Sequence, residues 1–68
     1  MKRNLVRFRK RLGITQQDIS KQIGYSPQYI CRIENGSSDG SIDFWKKFSE
    51  AYLIEETSDL WELMKDDK

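Results

Sequence analysis

The sequence predicts an all-α fold of five helices in a single domain that spans residues 1–68. Apolar residues recur three and four positions apart along nearly the whole chain, which is the spacing of amphipathic helices, and no segment alternates as a strand does. Glycine, serine, threonine and proline stand between these segments, where helices end and begin. With 68 residues, the chain has room for one modest core.

Composition excludes several classes of protein. The apolar fraction is 37%, distributed in short groups, so no segment is long enough to span a bilayer. The basic N-terminus lacks the apolar centre of a signal peptide. One cysteine and no histidine argue against a disulfide framework, an ordinary zinc site and a catalytic triad. We therefore expect a cytoplasmic protein that is not an enzyme and holds no metal or cofactor.

Charge is divided unequally between the two halves of the chain. Residues 1–36 hold eight basic and two acidic residues, a net charge of +6, whereas residues 37–68 hold four basic and nine acidic residues, a net charge of −5. Such segregation gives one face a positive potential that the whole-chain charge of +1 conceals. From charge alone, ordinary solvated helix faces explain the pattern equally well.

The first helix is predicted over residues 2–11, with Leu5, Phe8 and Leu12 on its inner face and Gly13 ending it. Its opposite face is basic and carries Arg3, Arg7, Lys10 and Arg11. This basic face is either solvated or close to a nucleic acid.

Two closely joined helices are predicted within residues 15–36. The first begins at Thr15, with Asp18 completing the capping arrangement, and buries Ile19 and Ile23. The second begins after Ser26 with Pro27 at its first position, and it closes at Asn35 and Gly36. Its buried residues are predicted to be Ile30 and Ile33.

Two more helices are predicted within residues 41–64. The fourth starts at an N-cap of Ser41, runs to about residue 52 and buries Ile42, Trp45, Phe48 and Tyr52. The fifth is capped by Thr57 or Ser58 and carries Leu60, Trp61, Leu63 and Met64, and residues 65–68 are predicted to fray.

The third helix has a polar outer face. Pro27, Gln28, Cys31 and Arg32 lie together on it, with Ile30, Ile33 and Glu34 on the other side. Arginine can bridge O6 and N7 of guanine, and glutamine can bridge N6 and N7 of adenine. Two helices joined by a three-residue turn have the geometry of a helix-turn-helix, whose second helix enters the major groove.

These residues resemble the XRE family of helix-turn-helix regulators, which includes the repressors and Cro proteins of lambdoid phages. The resemblance covers roughly residues 5–64 and rests on five segments: Phe8-Arg9, Leu12-Gly13-Ile14-Thr15-Gln16, Ile19-Ser20, Ile23-Gly24-Tyr25-Ser26 and Ile30 with Arg32-Ile33-Glu34-Asn35-Gly36. The resemblance also implies a small residue, here Ser20, where the third helix crosses closely. The resemblance implies a five-helix, lambda-repressor-like DNA-binding domain.

Carried over residue by residue, the resemblance implies roles for individual side chains. Pro27, Gln28 and Arg32 occupy positions that reach bases, although Pro27 lacks a donor or acceptor and either packs on a thymine methyl or simply starts the helix. The implied contacts to the DNA backbone come from Gln16, Ser26, Tyr29 and Ser37. Arg9 and Glu34 match a largely buried ion pair between the first and third helices. The loop 37–40 departs from the family in having no basic residue, and serine hydroxyls and backbone amides can replace that contact.

The last helix is apolar around most of its girth, whereas a surface helix needs one apolar stripe. Leu60, Trp61 and Met64 therefore predict a partner surface, most simply for a second copy of the chain; alternatively, Trp61 covers the edge of the core. We expect a homodimer that binds a palindromic double-stranded DNA operator and represses transcription. Two alternatives stay open: an antitoxin-type regulator that also binds a toxin, and a protein-interaction module that uses the acidic C-terminal half.

Overall fold

The computed structural model describes residues 1–65, and within them the chain forms five α-helices and no strand. The helices are α1 (Arg3–Leu12), α2 (Gln16–Ile23), α3 (Pro27–Asn35), α4 (Ile42–Ala51) and α5 (Thr57–Met64). The predicted all-α, five-helix fold is therefore confirmed. Most of the tail that was predicted to fray, residues 66–68, lies outside the described residues.

The end of α1 explains one wrong prediction. Gly13 N–H donates to the carbonyl of Lys10 and Ile14 N–H donates to the carbonyl of Arg9, which is the Schellman pattern. This turn carries Ile14 back against the core. Leu12, predicted to face inward, is instead 50% exposed, because it is the last residue of α1 and the turn at Gly13 brings Ile14 against the core after it.

The predicted caps of α2 and α3 are confirmed. The Asp18 N–H donates to Thr15 Oγ1 over 3.0 Å and the Thr15 N–H donates to Asp18 Oδ2 over 2.8 Å, forming a reciprocal capping box. The Tyr29 N–H donates to Ser26 Oγ, and Pro27 occupies the first turn of α3. Only residues 24–26 separate the two helices, so this short turn keeps α2 and α3 close together.

Helix α4 begins at the predicted N-cap, since the Phe44 N–H donates to Ser41 Oγ over 3.0 Å. Trp45 and Phe48 are buried as predicted, Tyr52 is half-buried, and Phe44, which the spacing missed, is fully buried. The prediction that Ile42 is buried is wrong, because its side chain is 89% exposed. At about 100° per residue, Ile42 falls about 60° beyond Trp45, outside the arc shared by Phe44, Trp45 and Phe48.

Helix α5 begins one residue earlier than predicted. Glu56 is its N-cap, without a side-chain cap hydrogen bond, so the predicted caps Thr57 and Ser58 are wrong. Ile54 is packed against the core, which fixes where the chain enters the helix. Leu63 is buried and Leu60 half-buried, whereas Trp61 and Met64 are exposed.

Packing between helices leaves one side of α3 uncovered. Helix α2 packs on α3 and α4, and α1 packs on α3 and α5. The buried apolar residues come from all five helices: Leu5, Ile19, Ile23, Ile30, Ile33, Phe44, Trp45, Phe48 and Leu63. Within the described residues, no helix has the length and apolar character needed to cross a membrane.

Lys2 is an unexpected member of the interior. Its side chain is 1% exposed, its N–H donates to the carbonyl of Glu34 over 2.9 Å, and its Nζ lies 3.9 Å from Asp39 Oδ1. The start of the chain is thus attached to the end of α3 and to the loop that follows.

Candidate nucleic-acid interface

The outer face of α3 has the residues that the sequence places there. Gln28, Cys31 and Arg32 are exposed and Pro27 is half-buried. The opposite face contains the buried residues Ile30, Ile33 and Glu34. The face that could meet a ligand is therefore polar and carries one positive charge.

The side chains of Gln28 and Arg32 have no polar partner within the described residues. Within residues 1–65, neither makes a hydrogen bond or ion pair to another side chain or to the backbone. Arg32 presents the five N–H donors of a guanidinium, and Gln28 presents an amide with both donors and an acceptor. One helical turn separates them on the same face of α3, so both can reach one ligand.

Glu34 fixes the position of α3 from the inside. Its Oε2 accepts from Arg9 Nε over 2.7 Å, and its Oε1 accepts from Arg9 Nη2 over 3.2 Å. Arg9 Nη1 donates further to the carbonyl of Ile14. The side chains of Arg9 and Glu34 are 16% and 6% exposed, so this two-bond ion pair between α1 and α3 is largely removed from water.

Gln16 belongs to the same buried network, which the sequence did not indicate. Its Nε2 donates to Glu34 Oε1 over 3.0 Å, joining the first turn of α2 to α3. The side chain that the resemblance assigns to a DNA phosphate is thus partly used inside the protein. The backbone N–H groups in the first turn of α2 supply the alternative donors for an anion.

A pair of tyrosines attaches the helix-turn-helix to α4. The rings of Tyr25 and Tyr29 stack with centroids 5.0 Å apart, and both meet Phe44 edge-on. Tyr25 Oη donates to Asp43 Oδ2 over 2.6 Å, and the Ser41 N–H donates to Tyr29 Oη over 3.0 Å. Tyr29 accepts in this bond, so its own O–H can donate to a further group.

Hydrogen bonds lower the pKa of two exposed carboxylates, Asp43 and Asp18. The hydrogen bond from Tyr25, followed by that from Lys47, holds the pKa of Asp43 below its ordinary value. The Thr15 N–H does the same to the pKa of Asp18 in the capping box. Both carboxylates therefore favour the ionised state at the starts of α4 and α2, where the helix dipole also favours negative charge.

The loop after α3 is ordered by its own backbone. The Ser37 N–H donates to Asn35 Oδ1 and to the carbonyl of Arg32, both over 2.9 Å, and the Ser38 N–H donates to the Arg32 carbonyl. Ser37 is exposed, and its hydroxyl has no hydrogen-bond partner within residues 1–65. Ser26 Oγ, by contrast, already accepts the cap hydrogen bond, and its O–H remains available as a donor.

The positive potential of residues 1–36 comes from fewer side chains than the sequence count suggests. Lys2 and Arg9 are internal. The exposed basic side chains are Arg3, Arg7, Lys10, Arg11, Lys21 and Arg32. Helices α1 and α3 therefore carry five of the six exposed basic side chains of residues 1–36.

Helices α2 and α3, with their three-residue turn, capped starts and uncovered polar face, define a helix-turn-helix DNA-binding domain. Residues 5–57 match the model of the helix-turn-helix family, which is more than half of the chain. The protein belongs to this family, in its XRE or lambda-repressor-like branch. The family comprises DNA-binding domains that regulate transcription rather than enzymes. Comparisons with curated proteins and with solved structures give no match.

Proposed function

We propose that the protein represses transcription by binding, as a homodimer, to a double-stranded operator with inverted half-sites. Helix α3 would lie in the major groove, which admits an α-helix. The observation that carries this proposal is the pair of exposed, uncommitted side chains, Gln28 and Arg32, on the face of α3 that no other helix covers. Placing a dimer on DNA would block a promoter without requiring any chemistry.

Arg32 and Gln28 are the proposed base-reading residues. The guanidinium of Arg32 would donate to O6 and N7 of one guanine, and the amide of Gln28 would bridge N6 and N7 of one adenine. Pro27 starts the helix, and its ring is half-buried, so a thymine methyl is the only base feature it suits. Discrimination is therefore expected to rest mainly on Arg32 and Gln28.

Contacts to phosphates would set the depth of α3 in the groove. The available donors are the O–H groups of Ser26, Tyr29 and Ser37 and the backbone N–H groups at the start of α2, beside Gln16. These contacts position the protein and carry no sequence information by themselves. They should make binding strongly dependent on salt, because each neutralised phosphate releases counterions.

The dimer is proposed to form through the apolar face of α5. Trp61 is 57% exposed and Met64 is 37% exposed, and half-buried Leu60 lies beside them, one turn before Met64. A second copy related by a two-fold axis would cover the same patch on both chains. Sedimentation equilibrium of the wild type and of Trp61→Ser tests this, and a concentration-dependent dimer that the substitution leaves intact would contradict it.

Selection from a random pool of duplex DNA tests the function as a whole. Enrichment of a palindrome by the purified chain at low salt would support specific recognition and a symmetric dimer. A non-palindromic motif would retain DNA reading and contradict the symmetric dimer. Failure to enrich any sequence would contradict operator binding.

The second candidate is an antitoxin-type regulator whose exposed α5 face binds a toxin in place of a second copy. The same apolar patch supports it, since Trp61 and Met64 do not specify the identity of the chain that covers them. Binding through that patch should scarcely respond to salt, whereas operator binding should weaken steeply. A monomer in solution that nevertheless enriches an operator would favour this candidate.

A further inference from the structure

A groove runs along the seam between α1 and α5, and none of its lining residues belongs to α3. Its main part has a volume of about 480 Å³ and lies under the segment that joins α4 to α5. A second part of about 220 Å³ continues it towards Asn4 and shares Phe8, Arg11 and Leu63 with the first. Helix α5 packs on α1, and the outer face of α3 does not border this seam.

The floor of the groove is apolar and its rim is acidic. Phe8, Tyr52, Ile54 and Leu63 form the floor, and Leu53, which is 80% exposed, forms a lip. The rim carboxylates are Glu55, Glu56, Asp59 and Glu62, against two guanidinium groups: Arg11, which borders both parts, and Arg7, which borders the second part. Within residues 1–65, Glu55, Glu56 and Asp59 have no ion-pair partner.

The groove and the proposed dimer patch occupy different faces of α5. Asp59, Glu62 and Leu63 are spaced as neighbours on one face, towards the groove. Trp61 is about 160° around the helix from both Asp59 and Leu63, on the opposite side. A second copy seated on Trp61 would therefore leave the groove open.

We propose that this groove binds a short, positively charged segment of a partner protein that carries a bulky apolar side chain. The apolar side chain would cover Phe8 and Leu63, and lysine or arginine side chains would pair with Glu55, Glu56 and Asp59. The acidic rim disfavours nucleic acid in the same place. From Asn4 to Arg11 the seam is about 10 Å long, which accommodates about three residues of extended chain.

The function of such a site is recruitment to DNA. Because the groove shares no residue with the outer face of α3, a partner bound there and an operator bound at α3 do not compete for the same residues. This inference does not depend on which bases the protein reads. It adds a protein ligand to a DNA-binding domain and predicts a ternary complex.

The test uses the full chain, isotopically labelled, titrated with the capped peptide Lys-Leu-Arg-Leu-Lys and followed by amide and methyl chemical shifts. We expect shifts at Phe8, Ile54 and Leu63 and none at Gln28 or Arg32. The charge-reversed peptide Glu-Leu-Glu-Leu-Glu and the apolar-deleted peptide Lys-Gly-Arg-Gly-Lys should not produce them. Shifts centred on Trp61, equal binding of the reversed peptide, or no binding would overturn the proposal.

Variants in the groove separate the site from a general attraction of charge. Glu55→Gln/Glu56→Gln should weaken peptide binding about fivefold, and Leu53→Ser should also weaken it. Glu50→Gln, at an exposed position of α4, serves as the control. All three variants should bind a selected duplex as the wild type does, so loss of peptide binding and loss of DNA binding are read separately. Groove shifts that grow with protein concentration in the absence of peptide would assign the groove to a second copy and overturn the proposal.

Discussion

Glu34 is the residue on which the position of α3 most directly depends. It accepts two hydrogen bonds from Arg9 and one from Gln16, so one carboxylate joins α1, α2 and α3. A buried pair of this kind contributes little net stability, but removal of one partner leaves an uncompensated charge. The residues that hold the recognition helix are thus distinct from those proposed to touch DNA.

Replacing Glu34 by alanine should destabilise the fold by roughly 3–5 kcal/mol, because Arg9 would remain largely buried without its partner. A chain of 68 residues has a total stability of roughly 3–10 kcal/mol, so this loss is a large fraction of the total. Urea denaturation followed by circular dichroism measures the change. Arg7→Ala, on the exposed face of the same helix as Arg9, is the control and should change stability by less than about 0.5 kcal/mol. Equal effects of the two substitutions would contradict the role of the network.

The lowered pKa of Asp43 predicts that the stability of the protein depends on pH. Its pKa is lowered in the folded state, first by the hydrogen bond from Tyr25, so its ionised form contributes stability above the unfolded pKa and loses it as the pH falls through the folded value. The wild type should exceed Asp43→Asn in urea midpoint at neutral pH, and the difference should shrink below about pH 4. Glu50→Gln, at an exposed position of α4, is the control and should show almost no difference at any pH. A gap for Asp43→Asn that does not change with pH would refute the assignment.

At the scale of elements, the sequence predicted the starts of three helices correctly, because cap hydrogen bonds between neighbouring residues set them. The caps Thr15, Ser26 and Ser41 lie where their side chains accept from the third residue of each helix, and these bonds are made within four residues. The errors arose where tertiary packing decides. Ile42 sits beyond the edge of the buried arc of α4, and the start of α5 depends on where Ile54 is anchored.

The loop between α3 and α4 depends on a glycine with a close neighbour. Gly40 has a φ of +81°, and an added Cβ would lie 2.6 Å from Trp45 Nε1, which donates to the carbonyl of Asp39 over 2.9 Å. Gly40→Ala should therefore shift the indole N–H resonance of Trp45 and destabilise the protein by more than the roughly 1–2 kcal/mol that left-handed backbone alone costs. Gly13→Ala is the matched control, because its φ is +70° but nothing lies within 4 Å of the added atom. Equal losses for the two variants would show that the contact with Trp45 does not matter.

At the scale of the whole molecule, charge is segregated along the sequence, but folding packs basic α1 on acidic α5. The family, the five helices and the outward face of α3 follow from the sequence, because spacing, caps and turn length are local features. The commitment of Gln16 to Glu34 and the burial of Lys2 do not, since both depend on residues more than fifteen positions away. The groove between α1 and α5 likewise exists only after the chain ends are brought together.

Base reading by α3 is proposed to depend on Arg32. It is tested by measuring the binding of Arg32→Ala and of the wild type to a selected operator and to every single-base change within that operator. We expect a loss of roughly 1–3 kcal/mol on the operator and a relaxed preference at one base position, with the other positions unchanged. Lys21→Ala, which removes an exposed charge from α2, is the control and should leave the base preferences as they are. Uniform weakening by Arg32→Ala on every sequence would contradict the claim and make Arg32 a phosphate contact.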